Sequence, residues 1–202
     1  MTAQHAATVA PHEHTSTGLD NTKMAMWAFL GSECLFFGSF ITTYLLYRTK
    51  APSGTPLPHD VYDIPYTSVS SFELLMSSLT MVLALNAIQR GDHRTFRAWI
   101  LATATLGMLF IGGQIYEFTS FVHEGLTLRS SAAGSAFFVL TGFHGAHVTV
   151  GILMLLSLFA MSLAGRLPQI DARKVEFIGL YWHFVDVVWI VIFTVVYLIP
   201  LH

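Results

Sequence analysis

Charge is scarce in this chain. Of its 202 residues, 11% are Asp, Glu, Lys or Arg, whereas 53% are hydrophobic; soluble domains carry about a quarter charged residues. That deficit excludes a soluble fold, which could not bury so much apolar side chain, and leaves the bilayer as the solvent that can accept it. Basic excess is lacking too. The net charge of -2 excludes nucleic acid as a partner, because phosphate binding rests on basic surface. Cysteine occurs once, at Cys34, so no disulfide framework can form within the chain. Inside an apolar run, Cys34 reads as a small packed residue. Internal repeats and low-complexity tracts are missing. The first 22 residues have no apolar core and no base before Lys23, so they do not read as a signal peptide. His5, His12 and His14, without a cysteine, make a poor metal pattern. Residues 1–23 therefore read as a mobile cytoplasmic tail.

What is present is five apolar runs, at about 24–47, 67–88, 98–117, 135–163 and 178–199. Each is long enough to cross a bilayer as a helix, and the fourth is longer than a crossing needs. The fold expected is all-α, a polytopic bundle of five transmembrane helices over residues 24–200. The segment APSGTPLPHD after the first run is rich in Pro and Gly and reads as irregular. Basic residues set the orientation. With the N-terminus inside, the inner segments hold Lys23, Arg90, Arg94, Arg97, Arg166, Arg173 and Lys174; the outer ones hold Arg48, Lys50 and Arg129. Seven against three places the N-terminus in the cytoplasm and the C-terminus outside.

Ionisable groups are costly in hydrocarbon, and those that occur there are functional or paired. The candidates are Glu33 in the first helix, Glu73 in the second, Gln114 and Glu117 in the third, His144 and His147 in the fourth, and His183 and Asp186 in the fifth. Three of these pairs are spaced i, i+3 and share a helix face. At 1.5 Å per residue, Glu33 and Asp186 lie roughly 12–14 Å from the inner surface, and His147 comes to a similar depth. A cluster of Glu33, His147, His183 and Asp186 is thus geometrically possible. Two chemistries compete for it. Carboxylates and imidazoles on facing helices can hold iron, copper or zinc; they can equally form a hydrogen-bonded network that locks helices together, relays protons or holds lipid headgroups. The paired Glu-x-x-His pattern of carboxylate-bridged metal sites is absent from the sequence. Small residues (Ala28, Gly31, Ser32 and Gly38 in the first helix; Gly142, Gly145 and Ala146 in the fourth) suit close helix packing. Trp182 fits the interfacial aromatic belt.

Longer motifs narrow the reading. The first helix contains FLGSECLFFGSF, the third ends GGQIYEF, the fourth reads GSAFFVLTGFHGAHVTVG and the fifth LYWHFVDVVWIVIFTVVYL. Over residues 24 to 200 the chain resembles subunit III of the haem-copper respiratory oxidases, in its short five-helix bacterial form. The resemblance implies a chain without haem, copper or other metal of its own. It implies a subunit that packs on the catalytic subunit I, which carries haem and copper, beside subunit II and a small subunit IV. It also implies bound phospholipid, support of proton uptake into subunit I, and a bacterial cell membrane as the location. Carried over by motif, Glu33 matches the acid of SExxFF, His144 and His147 match TGFHGxHV, His183 and Asp186 match WHFVDVVW, and Gln114 and Glu117 match the end of the third helix; none becomes a catalytic or metal-ligating residue. TGFHGAHV resembles the cytochrome c oxidases somewhat more than the quinol oxidases. Subunit III of a quinol oxidase and an accessory protein of nitric oxide reductases remain alternatives within the same resemblance, and an independent membrane metal enzyme or transporter is the alternative outside it. A transporter would be expected to show repeats and broken helices.

Overall fold

Each apolar run forms a helix, and each helix begins before the run that announces it. The computed structural model describes residues 21–50, 64–123, 125, 127–128, 131–165 and 172–199. Its helices are α1 (Asn21–Thr49), α2 (Ile64–Gln89), α3 (His93–His123), α4 (Ala132–Leu163) and α5 (Ala172–Phe193), the last continued by a π-helical turn, Thr194–Leu198. All five are long and apolar enough to span a membrane. Polar residues such as Asn21, Thr22 and Lys23 continue the helices, because a backbone leaving hydrocarbon satisfies its own N–H and C=O groups most simply by staying helical. Residues 1–20 of the expected tail and the APSGTPLPHD segment lie outside the described residues.

Local sequence punctuates the helices. Gly91 adopts φ +74° after α2, a conformation open to glycine at little steric cost. There the amide of Gly91 bonds back to Ile88 O and that of Asp92 to Ala87 O, as helix C-caps do. Asp92 then caps α3: its Oδ1 accepts the Thr95 amide at 3.1 Å and its Oδ2 accepts the Thr95 hydroxyl at 2.6 Å. Ser131 caps α4 by accepting the Gly134 amide at 2.9 Å. Helix α5 stops at Ile199, extended at φ -88° and ψ 107°; Pro200 follows in the sequence, and a residue before proline is disfavoured in the helical region.

Helices α2, α3, α4 and α5 close into a four-membered ring in which each packs on the next and α5 returns to α2. Helix α1 stands outside this ring and packs mainly on α4 and α5. The ring's interior holds Met81, Phe110, Leu155, Trp182 and Trp189, all buried. The exterior of the bundle, α1 included, is equally apolar, with Leu35 78%, Trp27 61%, Ile115 63% and Phe72 60% exposed. In water such an array would drive aggregation; in hydrocarbon it is the lipid-facing surface. Hydroxyls near that surface turn back onto their own helix. Ser32, Ser39, Thr42, Thr43, Thr149 and Ser157 donate to carbonyls three or four residues earlier, the partner available where water is not.

Three packing expectations are corrected. Trp182 is not a belt residue but fully buried, its indole N–H donating to Ser77 Oγ at 2.9 Å. Gly31, Gly38 and Gly142 have open space where a Cβ would stand, so they bring no helices together within this chain. The close approaches are at Gly107 and Gly151, where a Cβ would meet the Trp182 ring at 2.7 Å. Cys34 is exposed on α1 rather than packed, since the face that carries it points away from the ring.

Candidate functional site

The mid-membrane polar residues divide into separate sites. Glu33 on α1 and His147 on α4 face each other across the groove where α1 leans on the ring. Their Oε2 and Nε2 atoms are 3.2 Å apart and the side chains are about one-fifth exposed, at 18% and 20%. The ring N–H is not aligned on the carboxylate, so the contact is electrostatic rather than a directed hydrogen bond. The other nitrogen, His147 Nδ1, lies 2.7 Å from the Phe143 carbonyl four residues back. A carbonyl can only accept, so Nδ1 carries a proton. Nε2 is then the nitrogen that meets the Glu33 carboxylate, at 3.2 Å. Tyr181 fixes the α4 backbone here, donating to His147 O at 3.0 Å, and Phe37 packs on the His147 ring at 5.0 Å.

This pair borders an apolar groove of about 590 Å3 between α1, α4 and α5, walled by Phe29, Phe143, Val150, Met154 and Phe177. A second groove of about 570 Å3 continues along α4 and α5 to Lys174. Their walls are hydrocarbon, and the Glu33–His147 pair is the polar feature on one side.

His183 and Asp186 do not join that pair. His183 Nδ1 lies 2.6 Å from Ser78 Oγ on α2. Asp186, 3% exposed, lies beside Ser78 as well, but neither carboxylate oxygen has a hydrogen-bond partner. His144 is fully buried, stacked on Trp189 at 5.0 Å with Phe110 edge-on at 6.0 Å, and neither ring nitrogen has a partner. The possible four-residue cluster is therefore not formed: α1 lies outside the ring, so Glu33 reaches the outward-facing His147 and not residues that point to α2. Among the described residues no group of three or more His, Cys, Asp and Glu side chains converges as metal ligands would. Glu73 is half-buried on α2.

Glu117 and Gln114 form the remaining site, toward the end of the bundle where α3 and α5 finish. The Glu117 carboxylate, buried at 5% exposure, accepts from Thr67 Oγ1 at 2.7 Å, Gln114 Nε2 at 3.2 Å and Tyr197 Oη at 3.4 Å. Tyr197 belongs to the π-helical turn. From the other side, Arg48 of α1 donates to Val195 O at 2.8 Å and to Ile199 O, so the end of α5 is held between α1 and α3. At the opposite membrane face Arg97 donates to Ser162 Oγ at 2.7 Å and Ser162 O at 2.6 Å, closing the end of α4. Sequence reasoning missed both arginines as caps, and missed the α2 hydroxyls: Ser71 accepts from Trp189 at 2.9 Å, Ser77 from Trp182, and Ser78 meets His183. A signal existed in the run SVSSFELLMSSLT, whose serines recur near helical spacing on the face toward α5.

The comparisons with known proteins agree with the motifs. A family model described as cytochrome c oxidase subunit III matches residues 4–200. The chain is 39% identical over 189 residues to cytochrome c oxidase subunit 3 of Bacillus sp. (strain PS3), covering 94% of this chain and 91% of that one. It is 39% identical over 201 residues to quinol oxidase subunit 3 of Bacillus subtilis (strain 168), covering 98% and 97%. It is 38% identical over 189 residues to cytochrome bo(3) ubiquinol oxidase subunit 3 of Pseudomonas aeruginosa, covering 93% and 89%. The matched length includes every motif and all five helices, and the chain belongs to the cytochrome c oxidase subunit III family.

Proposed function

We propose that this subunit III serves its terminal oxidase without a redox centre of its own, by packing on the catalytic subunit I and holding a protonatable pair beside it. Subunit II and a small subunit IV complete the assembly. Haem and copper reside in the partner chains, cytochrome c is the electron donor, and the groove between α1, α4 and α5 holds phospholipid. The membrane is the bacterial cell membrane, with the N-terminus inside and the C-terminus outside. The observation that carries the reading is the Glu33–His147 pair, one-fifth exposed and 3.2 Å apart, opening on a groove with apolar walls. A carboxylate and an imidazole in contact can pass a proton between them without moving a helix, which suits support of proton supply to a neighbour better than catalysis. The donor rests on TGFHGAHV alone, since relatives of both donor types are equally similar to this chain.

The test uses the assembled oxidase. Glu33→Gln keeps the shape of the neutral acid but cannot ionise. It should leave haem and copper content unchanged while slowing proton uptake or shortening activity during sustained turnover. Unchanged uptake, turnover and lifetime would exclude the proton role. The identity of the co-purifying large subunits, with a copper-binding cytochrome c docking domain or a quinol site, decides the donor.

A further inference from the structure

The turn between α2 and α3 carries a small pocket, of about 170 Å3, that the oxidase reading leaves without a role. It is below the roughly 300–1,000 Å3 that drug-sized ligands occupy. Its lining is graded along the helices. Asn86, Arg90, Asp92 and Thr95 lie at or near the turn and are exposed, forming the mouth, while Leu83 and Trp99, farther along the two helices, are half-buried. Leu83 precedes Arg90, and Trp99 follows Asp92, by seven residues, which is about 10 Å of helix. A polar mouth over an apolar floor with an indole, at the end of two membrane spans, follows the profile of a lipid from headgroup to glycerol.

The mouth is charged with both signs. Arg90 is exposed, and its guanidinium is not committed to another described residue. Asp92 gives one contact from each oxygen to Thr95, and a carboxylate offers about four acceptor positions, so lone pairs remain. Those two bonds hold the Asp92 carboxyl below its ordinary value of 3.8, and it is ionised at neutral pH. A purely anionic headgroup would meet Asp92, and a quaternary ammonium would bring no N–H to it.

We propose that this pocket binds the zwitterionic headgroup of phosphatidylethanolamine, with the phosphate on Arg90, the primary ammonium on Asp92 and the glycerol region against Trp99. The site depends only on the membrane spans, not on the oxidase role.

The experiment titrates the delipidated, assembled oxidase with dioleoylphosphatidylethanolamine, and in parallel with the phosphatidylcholine and phosphatidylglycerol analogues. Lipid bound to subunit III is counted by native mass spectrometry. Wild type should prefer phosphatidylethanolamine. Arg90→Gln should weaken it about tenfold, the worth of one charge-assisted contact. Asp92→Asn keeps a good N-cap for α3 and should abolish the preference over phosphatidylcholine. Equal binding of the three lipids by wild type, or no change in Arg90→Gln, would overturn the proposal. Soluble O-phosphoethanolamine provides the second arm. Saturation by it as tight as by the lipid overturns the lipid assignment in favour of a free ligand, and failure to saturate supports it.

Discussion

At the scale of single residues, the buried polar groups fall into satisfied and unsatisfied sets, and the two predict opposite responses. Ser77 accepts the Trp182 indole N–H in the ring interior. Ser77→Ala strands that donor, which costs about 1–3 kcal/mol, so the thermal unfolding midpoint of the purified assembly should fall; an unchanged midpoint would show that the bond carries nothing. His144 is the converse. Its ring is fully buried against Trp189, Phe110 and Phe37 and both nitrogens lack partners. An apolar ring there removes two unsatisfied atoms and keeps the stack. His144→Phe should therefore match or exceed wild type in stability with haem and copper content unchanged; a loss above about 2 kcal/mol, larger than a tolerated core swap, would mean that the imidazole has a partner. The sequence revealed that these side chains were special, but not which ones meet. The i, i+4, i+7 spacing of Trp182, Asp186 and Trp189 on one face of α5 is a signal that points Trp182 inward, which the belt reading passed over. Belt statistics pointed elsewhere, and the ring packing overrode them.

At the scale of elements, two indole-sized recesses set the ring. Gly107 on α3 and Gly151 on α4 lie against opposite parts of the Trp182 ring, and a Cβ at Gly151 would stand 2.7 Å from Cε3 and 2.8 Å from Cζ3. The indole cannot retreat, because its N–H is bonded to Ser77 on the far side. Gly151→Ala should thus destabilise by about 1–3 kcal/mol through overpacking, read as reduced recovery of subunit III with the assembled oxidase, whereas Gly31→Ala, with nothing within 4 Å, should be silent in folding. Existence, order and approximate ends of the five helices were legible because hydrocarbon imposes long apolar runs. Pairings between helices were not, since they depend on side chains far apart in sequence, such as Ser77 and Trp182.

At the scale of the whole molecule, orientation is the open property, and the count of seven inner to three outer basic residues predicts it. In a Cys34→Ala background, which removes the chain's one cysteine, Arg94→Cys places a label on the exposed start of α3. A membrane-impermeant thiol reagent should reach it in inverted vesicles and not in intact cells; labelling of intact cells would reverse the topology. The same count conceals a difference between its members. Arg48, one of the outer three, is 3% exposed and spends its charge on carbonyls at the end of α5.

That last contact has a consequence in time. Arg48 and Val195 are 147 residues apart, and α1 packs mainly on α4 and α5. A ribosome adding about 5–20 residues per second needs roughly 7–30 s to make that interval. Throughout it, the first helix waits in the bilayer with its guanidinium unmatched, because the end of α5 that receives it does not yet exist; the Glu33 carboxylate meets His147 earlier, once α4 is made. The oldest segment is thus the last to find its partner, and Arg48 stays uncapped until the end of the final helix is made.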